Sequence, residues 1–113
     1  MPKRMSEQSY LVLLALAEEP RHGYGVVQAV LALSDGDVRL GAGTLYGILD
    51  RLVAAGQAEA SGEVVVDGRL RRYYRLTDAG HEALTAETAR LRDLARRAQR
   101  VLTAAPRPAL GQA

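Results

Sequence analysis

Seven residues carry the densest chemistry in this chain. Arg69 to Arg75, RLRRYYR, holds four arginines and two tyrosines. A guanidinium group is a permanent cation whose planar fork matches the oxygens of phosphate and carboxylate. The segment therefore suits an anionic partner, and a polyphosphate backbone rewards several such groups in a row. Other reactive side chains are sparse. His22 and His81 are the only histidines, and there is no cysteine. Thiolate nucleophiles and disulfides are excluded, and no ligand-like spacing of carboxylates converges on either histidine. No Ser-His-Asp arrangement or glycine-rich phosphate loop stands out. The expectation is no catalytic residue, no metal and no cofactor, with His22 helping to start a helix.

At 113 residues the chain suits one domain, and 48% hydrophobic with 25% charged residues is the composition of a globular protein. The net charge is only +2, but it is uneven. Residues 1–60 carry five basic and seven acidic side chains; residues 61–113 carry ten and six. No apolar run reaches the length of a membrane span, and MPKRMSEQSY lacks a signal-peptide core, so a cytoplasmic location is expected.

The elements that must position the arginines can be read from periodicity. Met5 to Ala17 is a helix with apolar residues on more than one face, which asks for cover on two sides. A second subunit is one source of that cover. Pro20 ends it. A second helix runs from about His22 to Ser34, with a stripe of Val26, Val27, Val30, Leu31 and Leu33. Val38-Arg39-Leu40 is β-prone and suits a small strand. Gly41 to Gly56 is a helix with Leu45, Ile48, Leu49, Leu52 and Val53 at helical spacing. Gln57–Val66 and Arg69–Leu76 are strands, and Asp67-Gly68 between them is a two-residue hairpin signal. Alternation turns Leu70, Tyr74 and Leu76 toward the domain and Arg69, Arg71, Tyr73 and Arg75 outward. Thr77 caps a last helix to about Leu102. Leu84, Leu91 and Ala98 recur every seven residues there, with Thr88, Ala95 and Leu102 between and Leu94 and Val101 alongside.

Three helices followed by a hairpin and a long helix is a mainly α arrangement with a small β-hairpin (α+β): a winged helix-turn-helix over residues 1–77, a dimerisation helix over 78–103 and an unstructured tail over 104–113. HGYGVVQAV (22–30), GAGTLYGILDRLVAAG (41–56) and RRYYRLTDAGHEAL (71–84) resemble, in order and spacing, the PadR family of bacterial transcriptional regulators. The short single C-terminal helix resembles its compact subgroup. The resemblance covers roughly residues 9–102. It implies a homodimeric, sequence-specific DNA-binding protein, usually a repressor and in many members relieved by an effector. The third helix, 41–56, then lies in the major groove, and the wing, 58–76, on the phosphate backbone or minor groove. Three positions depart from the family pattern. Gly41-Ala42-Gly43 and Gly47 stand where Ser-Pro-Gly and a second proline are usual, and Leu70 stands where the wing often has proline.

On this reading the candidate DNA contacts are Tyr24, Gly43, Thr44, Tyr46, Arg51, Arg69, Arg71 and Arg72. Thr44 and Tyr46 lie in the first turns of the recognition helix, where base edges are met. Gly43 and Gly47 allow close approach. Tyr24 is either a phosphate contact or partly buried packing, and Arg51 either reaches a phosphate or pairs with Asp50 or Glu59. Tyr73 and Tyr74 are packing residues, because a duplex exposes no base faces. The candidate dimer contacts are Tyr10, Leu14, Leu84, Leu91, Leu94, Ala98, Val101 and Leu102. The expected partners are a double-stranded operator, a second copy of the chain and a small hydrophobic effector. Ala15, Ala95 and Ala98 allow two readings, cavity wall or close helix packing. A competing reading is a winged-helix protein-interaction module whose basic wing meets an acidic partner. Another is a ligand sensor of weak DNA affinity.

Overall fold

A computed structural model describes residues 4–108. The elements are α1 (Glu7–Glu18), β1 (Arg21–His22), α2 (Gly23–Leu33), α3 (Ala42–Ala54), β2 (Ala58–Val66), β3 (Arg69–Leu76) and α4 (Asp78–Ala104). The strands form one antiparallel sheet in the order β1-β3-β2. Residues 109–113 of the expected tail lie outside the described residues, and α4 runs one residue past the expected limit of 103.

Ser6 starts α1, its Oγ accepting from the Ser9 amide at 3.1 Å. Leu11, Val12, Leu13, Ala15 and Leu16 are all buried. Such a run covers most of the helix circumference, and α2, α3, β3 and α4 all pack on it. The cover expected of a second subunit is thus largely supplied within the chain; Tyr10 and Leu14 stay partly exposed. Beyond Pro20, the Arg21 guanidinium donates from Nε to the Ala15 carbonyl at 3.0 Å and from Nη2 to Glu18 at 3.0 Å. A cation at the last carbonyls of a helix is favoured there.

The small third strand is not Val38–Leu40. That segment is irregular, and its Leu40 plugs the core. The strand is Arg21–His22, which pairs with Tyr74 and Tyr73 of β3. A two-residue strand at a helix start is too short to show alternation in sequence. His22 does start α2: its Nδ1 accepts from the Gly25 amide at 3.2 Å, and its ring stands edge-on to Tyr73 at 5.2 Å between centroids. Leu33 and Val53, expected in apolar stripes, are exposed near the ends of their helices.

The helix–strand junction after α3 is tied tightly. Gly56 (φ +75°) closes α3, with Gly56 N–H donating to Val53 and Gln57 N–H to Leu52 at 3.0 and 2.9 Å. These are the paired bonds of a left-handed C-terminal cap, which glycine adopts without a Cβ clash. The wing turns at Asp67 (φ 51°) and Gly68 (φ 77°), both left-handed, as a two-residue hairpin requires. In β2 the register slips by one residue between Ala60 and Gly62, leaving Ser61 as a bulge.

At the wing's base, Thr77 acts in three directions. Its Oγ1 accepts from the Gly80 amide at 3.1 Å and donates to the Gly56 carbonyl, and its N–H donates to the Gln57 carbonyl at 3.2 Å. The first turn of α4 therefore lies directly on the end of α3. Gly80 permits this, since a Cβ there would overlap the Gln57 carbonyl oxygen and stand 2.8 Å from Leu76 Cδ1. Further along, Leu84 is buried against the core, and Thr88 Oγ1 donates to the Leu84 carbonyl at 2.8 Å. That leaves Tyr10 Oη, 2.6 Å from Thr88 Oγ1, as the donor of the bond joining α1 to α4. From Leu91 to Pro108 every residue is exposed. The radius of gyration is 18.0 Å, against about 13 Å for a compact chain of this length, because half of α4 projects from the domain.

Gly80→Ala is expected to destabilise the fold by about 2–3 kcal/mol, because backbone must move to admit one methyl group. Denaturant unfolding measures it; wild-type stability in this variant contradicts the junction described.

Candidate nucleic-acid interface

Helix α3 buries Leu45, Ile48, Leu49 and Leu52 and turns Thr44, Tyr46, Asp50 and Arg51 outward. Its start is plain: Gly41 is the cap, with no side-chain hydrogen bond. No heavy atom lies within 4 Å of a Cβ built on Gly43, and on Gly47 only Arg51 Nη1, at an ordinary 3.6 Å. Neither glycine is required by packing inside the chain. An interior helix glycine costs roughly 0.5–1 kcal/mol relative to alanine, so both are left without an internal reason.

Tyr46 is held from below. A Cβ on Gly23 would stand 2.5 Å from Tyr46 Oη and 3.0 Å from Cζ, so the Tyr46 hydroxyl rests on the first residue of α2. Tyr24 is the next residue and is exposed. The fold thus brings Tyr24 and Tyr46 to one place where α2 begins. Gly23 makes this contact possible and went unnoticed as a site residue. The doublet Gly23-Tyr24-Gly25 was its only sequence signal.

The wing is less basic than its arginines suggest. Glu59, Glu63 and Asp67 answer four arginines with three carboxylates. Arg75 Nε donates to Glu59 at 2.7 Å, and Arg72 lies 3.7 Å from Glu63. Arg69 and Arg71 have no acidic partner among the described residues. Arg71 Nε is shielded from water with nothing bonded to it. Arg51 forms no ion pair among the described residues, and its alternative partner Glu59 is taken by Arg75.

The bulge decides which arginine is neutralised. Opposed residues of an antiparallel pair share a face. With Ser61 extruded, Glu63 opposes Arg72 and Val64 opposes Arg71. An unbroken register would have set Glu63 against Arg71. Alternation also misled at Leu70. It lies on the same side of β3 as the buried Tyr74, but is 66% exposed, as is its cross-strand partner Val65. The wing has run past the edge of the domain there, and no core remains to receive either.

Between α3 and the wing lies a cleft of about 470 Å³ lined by Tyr46, Asp50, Glu63, Leu70, Arg72 and Tyr74. Recognition helix and wing are therefore adjacent walls of one groove.

The candidate dimer residues divide. Leu84 is 6% exposed and is already covered by its own chain. Tyr10 and Leu14 border α4, while Leu91, Leu94, Ala98, Val101 and Leu102 are exposed on its projecting part, Val101 at 64% and Leu102 at 71%. A second cleft of about 470 Å³ runs between α1, the end of α2 and α4, with Met5, Tyr10, Leu11, Leu33 and Leu91 on its apolar walls. On its rim Arg90 donates to both oxygens of Glu87, at 2.9 and 2.6 Å. Those bonds hold the Glu87 carboxyl below the usual glutamate range and raise Arg90. Among the described residues no three His, Asp or Glu side chains gather as a metal site, and no helix is long and apolar enough to cross a membrane.

Comparison with known proteins agrees with this geometry. Residues 12–86 match the model of the transcriptional regulator PadR-like family. Over 85 residues the chain is 44% identical to the transcriptional regulator Rv3488 of Mycobacterium tuberculosis, covering 75% of this chain and 76% of that protein. A PadR family transcriptional regulator from Eggerthella lenta superposes with a TM-score of 0.67 at 29% identity, over 87% of this chain and 86% of that one. One from Clostridium difficile gives 0.73 at 20% identity, over 86% and 99%, and bears on the fold alone. Exposed recognition-helix residues beside a wing, on a fold shared with these regulators, place this chain in the PadR-like family of transcriptional regulators, and so among DNA-binding proteins.

Proposed function

We propose that the chain works as a homodimeric repressor, with α3 in the major groove and the β2–β3 wing on the flanking phosphates or minor groove. One observation carries this reading. The face of α3 bearing Gly43, Thr44, Gly47 and Arg51 is uncovered by the chain, and beside it stands a wing that projects past the core with Arg69 and Arg71 unpaired. On this reading Gly43 and Gly47 leave room for the DNA backbone. Tyr24 and Tyr46, held together at the start of α2, offer hydroxyls to one stretch of phosphate. Arg72 serves less than Arg69 and Arg71, because Glu63 already faces it.

Dimerisation follows from α4. A 27-residue helix is about 40 Å long, and its outer half carries Leu91, Leu94, Val101 and Leu102 into water with nothing on them. A second copy laid along the same stripe removes that exposure and sets two recognition helices apart. Two half-sites about 10 bp or a multiple apart are the matching operator. In this assembly a small hydrophobic effector lies against Met5, Tyr10, Leu11, Leu33 and Leu91, where it bears on the packing of α4.

Three outcomes test this. The Arg69→Ala/Arg71→Ala variant should bind a selected duplex more weakly and lower the slope of log K against log salt by about 1.8, or about 0.9 per lost phosphate contact; an unchanged slope in a gel-shift series removes the wing from the interface. Gly47→Ala should stabilise the fold by about 0.5–1 kcal/mol yet weaken DNA binding about tenfold, a split that a purely structural glycine cannot produce. In solution the native chain should weigh twice its 12.2 kDa, and Leu94→Lys/Val101→Lys should weigh 12.2 kDa by light scattering. A monomeric native chain at micromolar concentration contradicts the dimer.

A further inference from the structure

The two ion pairs of the wing are not alike. Glu59–Arg75 is a 2.7 Å hydrogen-bonded pair at the wing's base, next to the core. Glu63–Arg72 is loose, at 3.7 Å, with both side chains about half exposed or more and no hydrogen bond between them. Exposed pairs of that kind are weak and readily exchanged. Arg72 also lines the cleft between α3 and the wing, across from Asp50 and Tyr46. A helix in one groove and a wing in the next straddle a sugar-phosphate strand, so that cleft is where the strand must pass.

We propose that Glu63 is a charge gate for Arg72. In the free protein the Glu63 carboxylate holds the guanidinium; on a duplex a phosphate takes its place. Glu63 thereby limits affinity and flattens the salt dependence, because the freed carboxylate must recruit a cation as the phosphate releases one. The Ser61 bulge is the structural device behind it. By shifting the register one residue, it gates Arg72 and leaves Arg71 permanently free. The proposal rests on the DNA-binding reading above and adds regulation within the same site. Glu63 acts through Arg72 and is a positioning residue.

The test is a double-mutant cycle on a duplex selected from random sequence, read by fluorescence anisotropy at several salt concentrations. Glu63→Gln should bind at least about threefold tighter near 0.1 M salt, with a slope steeper by about 0.9. In an Arg72→Gln background the same change should gain less than about twofold, since no guanidinium remains to be freed. Asp67→Asn, which removes an equal charge at the wing tip, should shift affinity by the same factor in both backgrounds. Melting temperatures should match throughout. Equal gains from Glu63→Gln in both backgrounds reduce the effect to net charge and overturn the gate. So does weaker binding or a lowered melting temperature for Glu63→Gln, which makes the pair structural. Failure of the native chain to bind any duplex is a different result; it overturns the DNA-binding reading and the gate with it.

Discussion

The contact of Thr77 and Gly80 with the end of α3 is the constraint on which the rest of this molecule depends. Thr77 caps α4 and, through the same hydroxyl, holds the Gly56 carbonyl; Gly80 lets the helix lie against the Gln57 backbone. Recognition helix, wing base and long helix therefore meet within a few residues. Hydrogen bonds to backbone and a glycine contact leave little room for α4 to tilt against α3. The spacing of two DNA-reading units joined through α4 follows from that angle. The Tyr10–Thr88 hydrogen bond repeats the restraint two turns later, on α1. Past it the helix stands free.

The wing shows a second principle: local charge density is a poor measure of available charge. Four arginines in seven residues suggest a uniformly cationic strand. Carboxylates on β2 oppose two of them, and one extruded residue selects which. The arginines fall into a pair fixed at the base, a loosely held one in the cleft and two free ones. Each class has a different cost of reaching a phosphate. A protein that must leave its operator as well as find it has a use for that gradation.

Much of the architecture was legible in the sequence because it follows from local rules. The period of Leu45, Ile48, Leu49 and Leu52 defines α3, Gly56 ends it, and Asp67-Gly68 closes the wing. What was missed needed a partner distant in sequence. The third strand is two residues long and exists only through Tyr73 and Tyr74, some fifty residues away. Leu70 obeys alternation but lies where the core has ended. The wide apolar surface of α1 suggested a subunit contact, and the chain itself covers most of it.

Residue order alone determined which segments are helices and strands, where they stop, and that arginines and an uncapped glycine-rich helix start belong to one DNA-binding unit. Those properties depend on neighbours a few positions apart, through backbone hydrogen bonds and periodic burial. Tertiary structure decided which charges remain free, why Gly23 and Gly80 are glycines, and which apolar residues still lack cover. These depend on strand register and on backbone approach between distant segments. A one-residue slip at Ser61 exchanges one arginine for another on a face, and no pattern read along β2 alone reports that exchange.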